Sequence, residues 1–225
     1  SDILREYGYK GKIELISGGT DLYYDEKNYK KDKDHIESIH GINPGANILL
    51  YVGSLDAHKN LDLLINSLSY LRNFRQEFRM IIIGDGPYRS DLAKMIDEAK
   101  LNKYVIFTGE INSRDQLAKY YARANLFLNP HMYETFDLTT KEAAGFRCPV
   151  LALKDVSSLI RDNYNGYLAE NNGLSYAQRI ISALNERSKE KVGIAANETL
   201  AESYKNVVDE IYSYYKDIIK LGTRS

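Results

Sequence analysis

The sequence predicts an α/β domain, an open doubly wound Rossmann-like parallel sheet with a long C-terminal helix. Three observations lead there. Short runs rich in Ile, Val and Leu recur along the chain, each bounded by turn residues. The runs are nearly continuous in apolar character instead of alternating, as strands buried on both faces of a parallel sheet require. Between them lie segments with helical periodicity, and strands alternating with helices make βαβ units with right-handed crossovers.

Taken in order, strands are predicted at KIELI (12–16), ILLYV (48–52), MIII (80–83), YVIF (104–107), NLFL (125–128) and PVLAL (149–153). In 59–72 the residues Leu61, Leu64, Ile65, Leu68 and Leu71 fall on one helical stripe. Residues 89–101 repeat the pattern with Leu92, Met95, Ile96 and Ala99, and 113–124 with Leu117, Tyr120 and Tyr121. Residues 21–47 stand outside the alternation; their mixed-charge run Lys30-Lys31-Asp32-Lys33-Asp34 reads as a solvated loop or helix face. From 196 to 221, Leu200, Tyr204, Val207, Val208, Ile211, Tyr215 and Ile218 predict one long amphipathic helix, whose apolar stripe needs a cover. With no internal repeat and no low-complexity linker, residues 1–225 read as one domain.

Composition narrows the function. In 225 residues, 30 Lys+Arg face 31 Asp+Glu, so bulk charge does not draw the chain to nucleic acid or to an anionic membrane. A hydrophobic fraction of 44% is too high for a disordered chain. No apolar run approaches the ~18 residues of a membrane span. The single Cys148 excludes an internal disulfide and a cysteine-built zinc site, and fits a reducing, cytoplasmic compartment. His35, His40, His58 and His131 are scattered without ligand spacing, so no metal is expected.

In open α/β sheets ligands bind beyond the carboxyl ends of the strands, which makes the strand-to-helix turns the places to search. After ILLYV, Gly53 permits a tight turn, and Lys59 stands where a helix begins. A lysine beside free helix N–H groups suits a phosphate, although a solvated lysine has the same sequence appearance. After MIII, Gly84-Asp85-Gly86-Pro87 is complete structural punctuation and lacks dinucleotide-binding spacing. The richest turn follows NLFL and runs from Asn129 through Glu134, Asp137 and Thr139 to Glu142. Two of its carboxylates, Glu134 and Glu142, flank a helix N-terminus, so sugar hydroxyls and a phosphate would find acceptors and donors together. Alternatively, Thr139-x-x-Glu142 is a capping box that accounts for Glu142 alone. A glycosidase acid and nucleophile pair also fits the residue types.

In sequence order these turns resemble the C-terminal domain of GT-B-fold retaining glycosyltransferases of the glycosyltransferase family 4 type. The matching blocks are Ser17-Gly18-Gly19-Thr20-Asp21, YVGSLDAHKNLDLLI, IIIGDGP, VIFTGEI, ETFDLTTKE followed by PVLA, and NYNGYL. Glu134 and Glu142 reproduce the family's glutamate-x₇-glutamate motif. The resemblance implies a nucleotide-diphosphate-sugar donor, UDP- or GDP-linked, bound without cofactor or metal. It implies sugar contacts by Glu134 and by the backbone at Phe136, Asp137 and Leu138, and ribose contact by Glu142. Gly53, Ser54, Lys59 and Thr139 would surround the diphosphate. It also implies an N-terminal acceptor domain outside this sequence, toward which helix 196–221 packs. Only through that domain would the protein meet the inner face of a membrane, and this half would be inactive alone.

Three positions depart from the family pattern. Ser54 stands where an arginine is common, which forfeits a charge-assisted hydrogen bond of ~1.5–3 kcal/mol. Asp137 replaces a second glycine. Arg147 replaces a glycine before Cys148-Pro149 and is a candidate to return the missing positive charge. These departures keep open a catalytically degenerate accessory or scaffold domain, and the shared architecture keeps open half of a sugar-nucleotide epimerase.

Overall fold

The computed structural model describes residues 5–11, 18–22, 35–133 and 138–222. The predicted strand 12–16 and the charged run 30–34 lie outside them. Strands β1 (Asn47–Val52), β2 (Phe78–Ile83), β3 (Val105–Gly109), β4 (Leu126–Leu128), β5 (Val150–Leu153) and β6 (Tyr167–Ala169) form one parallel sheet of order β3-β2-β1-β4-β5-β6. Between and after them run helices α1 (Leu61–Asn73), α2 (Arg89–Glu98), α3 (Arg114–Arg123), α4 (Leu138–Gly145), α5 (Gly173–Asn185), α6 (Lys189–Leu200) and α7 (Tyr204–Gly222).

The continuous apolar strands are explained by burial on both sides. Leu49, Tyr51, Met80, Ile82, Leu126, Leu128 and Leu151 join one core with α1, α2 and α5. Their neighbours Ile48, Leu50, Ile81, Ile83, Phe127 and Val150 join a second core with α3, α4 and α6. The predicted α1 stripe, Leu61, Leu64, Ile65, Leu68 and Leu71, is wholly buried. A helical stretch at 35–40 covers the second face, and Ile36 and Ile42 enter the core there.

The predicted helix 196–221 is two helices. Residues 201–203 interrupt it because their backbone pairs elsewhere: Thr20 N–H donates to Glu202 O at 2.7 Å, and Thr20 bridges Ser203 in parallel. Ser203 Oγ then accepts Asn206 N–H at 3.0 Å and starts α7 as an N-cap would.

Candidate functional site

Strand order reverses between β1 and β4, the switch point beyond whose carboxyl ends sheets of this kind form their ligand crevice. On the β1 side, Gly53 N–H donates to Ile83 O at 3.0 Å, and the Tyr51 hydroxyl donates to Ser54 O at 3.0 Å. The Gly84–Gly86 turn braces this loop, since Leu55 N–H donates to Asp85 O at 3.0 Å. A Cβ on Gly84 would collide with Gly53 O, and one on Gly86 with Leu55 O. Those glycines therefore have a structural role, and the reason is close backbone approach as well as the positive φ of Gly84.

Ser54 is exposed at the lip. Lys59 closes a 3-10 turn, Ala57–Lys59, at the entry to α1. The residue is half-buried and has no ion-pair partner among the described residues. Asn60 follows with a left-handed backbone, φ 56°. Its side chain does not cap α1; Nδ2 donates to Pro130 O at 2.9 Å and to Asn171 Oδ1 at 3.1 Å. One asparagine thus ties together the connections after β1, β4 and β6. Sequence reasoning passed it over, and the available signal was an asparagine at a junction that needs positive φ.

On the β4 side, Asn129 donates from Nδ2 to Thr140 Oγ1 at 3.2 Å and accepts His131 N–H at 3.1 Å, fixing the start of the loop to the first turn of α4. Glu134, Phe136 and Asp137, the expected sugar contacts, lie outside the described residues. Leu138 opens α4 and is 40% exposed. Thr139 lies within the helix and so is not its N-cap, which removes the capping-box explanation of Glu142. The Glu142 carboxylate instead accepts the Tyr121 hydroxyl at 2.8 Å. Tyr121 is fully buried and stacked on Phe146, centroids 6.1 Å apart, so Glu142 is held from beneath by a rigid partner.

Lys141, beside it, is buried, and its ammonium donates to Gly18 O. Burial pushes that amine's pKa down, against the pull of the Glu202 charge. Arg147 corrects an expectation. It follows the C-terminal end of α4 and precedes β5, whereas the crevice lies beyond the carboxyl end of the parallel neighbour β4. The helix between spans ~12 Å. Arg147 therefore stands at the opposite edge of the sheet and cannot replace a cation at Ser54. Among the described residues no group of three or more His, Cys, Asp or Glu could hold a metal ion, and no helix is long and apolar enough to cross a membrane.

A parallel sheet of this order with helices on both faces defines a doubly wound α/β domain, an architecture in which ligands bind at the switch point. The chain belongs to the glycosyl transferases group 1 family, whose model matches residues 32–199. It is 26% identical to the alpha-monoglucosyldiacylglycerol synthase of Streptococcus pneumoniae (strain ATCC BAA-255 / R6) over 237 residues, covering 100% of this chain and 54% of that protein. The chain spans about half the length of the curated relatives it matches. Among solved structures, sucrose-phosphate synthase from Thermosynechococcus elongatus aligns with TM-score 0.81 at 22% identity, over 98% of this chain and 56% of that one. Anabaena Alr3699/HepE in complex with UDP and glucose aligns with TM-score 0.76 at 17% identity, over 90% and 56%. The C-terminal domain of the group 1 protein LpcC from Francisella tularensis aligns with TM-score 0.68 at 20% identity, over 81% and 96%.

Proposed function

We propose that this chain is the donor-binding half of a retaining glycosyltransferase of the glycosyltransferase family 4 type. It takes a UDP- or GDP-sugar, for transfer of a hexose to a glycan, lipid or protein-linked acceptor in cell-surface polysaccharide or glycoconjugate synthesis. The observation that carries this reading is that Lys59 and Glu142 stand on the connections leaving β1 and β4, the neighbouring strands at the switch point, and that Asn60 ties the first connection to Pro130 of the second.

Glu142, oriented by Tyr121, accepts ribose hydroxyls. Lys59, with Gly53, Ser54 and Thr139, holds the diphosphate against the positive end of α4, in place of a metal or cofactor. Glu134 and the backbone at Phe136, Asp137 and Leu138 hold the sugar. Departure and attack then occur on one face of that sugar, without a protein nucleophile. The acceptor belongs to a domain outside this sequence, and the exposed α7 face packs toward it. The full-length protein is cytoplasmic, reaching the membrane through that domain. A fold match to the UDP- and glucose-bound HepE structure and to the LpcC C-terminal domain supports this division of labour.

Calorimetric titration with UDP, GDP, UDP-glucose and GDP-mannose tests the proposal. One nucleotide series is expected to bind. Glu142→Ala should weaken it ~10- to 100-fold, the worth of a charge-assisted hydrogen bond, with a modest fall in Tm because the buried Tyr121 hydroxyl loses that acceptor. A lower Tm with unchanged Kd would make Glu142 structural, and no binding by either this chain or the full-length protein ends the reading. The exposed Ser54, left uncompensated by Arg147, favours one second reading: an accessory domain that has lost turnover. Turnover by the full-length protein with a panel of donors and acceptors eliminates it.

A further inference from the structure

Lys141 is a costly residue for its place. The position is 5% exposed on the first half of a helix packed against the sheet, where an apolar side chain would avoid desolvating an ammonium. It donates to Gly18 O, 123 positions away in sequence and outside both α4 and the sheet. The same backbone lies close to Leu138, whose Cδ2 is 3.3 Å from a Cβ built on Gly18.

Segment 18–22 is in turn fused to the junction between α6 and α7. A Cβ on Gly19 would stand 2.7 Å from Tyr204 N and 2.8 Å from the Ser203 carbonyl carbon. Thr20 pairs with Ser203, and its N–H donates to Glu202 O. From this junction α7 leaves the packed body: of its described side chains only Val207 is buried, while Val208, Tyr212, Tyr215, Ile218 and Ile219 are about 60% exposed. A groove of about 390 Å³ lined by Lys141, Leu159, Glu198, Glu202 and Asn206 runs alongside. Segment 18–22 is buried at Gly19, Thr20 and Leu22, with Leu22 in the second core, while the groove borders the 201–203 side of the pairing.

We propose that Lys141 is a positioning residue that couples the donor-site end of α4 to the paired segments 18–22 and 201–204, and through them to α7. Glu142 and Lys141 are consecutive on one rigid turn, so a nucleotide that engages the first displaces or steadies the second. The Gly18 carbonyl passes that change to Thr20, Glu202 and Ser203. The inference rests on the donor reading given above and adds a direction in which occupancy of the site is felt.

Hydrogen–deuterium exchange of the 225-residue chain, with and without UDP or GDP, tests it. In the native sequence the nucleotide should slow exchange several-fold at Thr20, Leu22 and 203–207. In Lys141→Met the nucleotide should still bind, with that remote protection lost, and Lys141→Arg should restore it. Equal protection in Lys141→Met overturns the coupling. So does a native protein that binds nucleotide with no change at these amides, a result needing no variant should Lys141→Met not fold. If neither nucleotide binds the chain or the full-length protein, the donor reading itself falls and the coupling with it.

Discussion

At Arg147 the backbone is left-handed, φ 55°, immediately after α4. Arg147 N–H donates to Ala144 O at 2.9 Å and Cys148 N–H to Ala143 O at 3.0 Å, the paired bonds of a Schellman stop. Glycine takes this conformation without the Cβ clash that costs an L-residue ~1–2 kcal/mol. Arg147→Gly is therefore expected to stabilise the chain by about 1 kcal/mol, raising Tm by ~2–4 °C in thermal melts. Because Arg147 is remote from the crevice, nucleotide affinity should not change. An altered Kd would contradict its placement. Asn60 uses the same left-handed region for a different end, freeing its amide to bind two other loops.

At the scale of elements, the helical stretch 35–40 is fastened by a buried ion pair. Arg123, on α3 and 3% exposed, donates to Glu37 Oε1 from Nε at 2.8 Å and from Nη2 at 2.5 Å. Its remaining hydrogen bonds reach Ala46 O at 3.1 Å and Asn125 Oδ1 at 3.0 Å. Removing one partner leaves a buried charge without its counter-ion. Glu37→Met is expected to cost ~3–5 kcal/mol, whereas Glu37→Met with Arg123→Met recovers much of it. Denaturant melts of the single and double variants measure the difference, and a single variant as stable as the native protein would refute it. The interruption at 201–203 belongs to this scale too. The apolar spacing from Leu200 to Ile218 continues across it, so periodicity reads one helix where pairing with Thr20 makes two.

For the whole molecule, buried acids are expected to lower stability at alkaline pH. Burial pushes the Cys148 thiol from 9.0 up to about 12, and lifts the Tyr176 and Tyr167 phenols from 10.0 as well. Each group keeps its proton longer folded than unfolded. Their contribution is full below pH ~9 and declines as pH rises toward and through the folded-state values. Lys141 acts oppositely, since a depressed amine gains stability as pH approaches its ordinary value, but it is one group against those three and Tyr120, whose phenol burial also lifts. Tm should therefore fall steadily above pH ~9. The Cys148 thiol should resist a disulfide reagent at pH 8 until the chain unfolds. Rapid reaction of the native protein would show the thiol to be accessible.

At this scale the sequence by itself determined the alternation of strands and helices and the burial of both sheet faces. Doubly covered strands cannot be alternating, and α1 cannot present its leucines except on one stripe. Lys59 and Glu142 were also legible, because each sits where a strand ends and a helix begins. Glu142's holder, Asn60's three-way tie and the Gly18 contact of Lys141 were not. Each joins residues distant in sequence, with no local pattern to announce it. The strand order β3-β2-β1-β4-β5-β6 made β1 and β4 neighbours and brought their outgoing turns to one crevice. The same packing carried Arg147 to the opposite edge, since a helix between parallel strands must return across the sheet. Local chemistry specifies which residues can bind; only tertiary packing decides which of them meet.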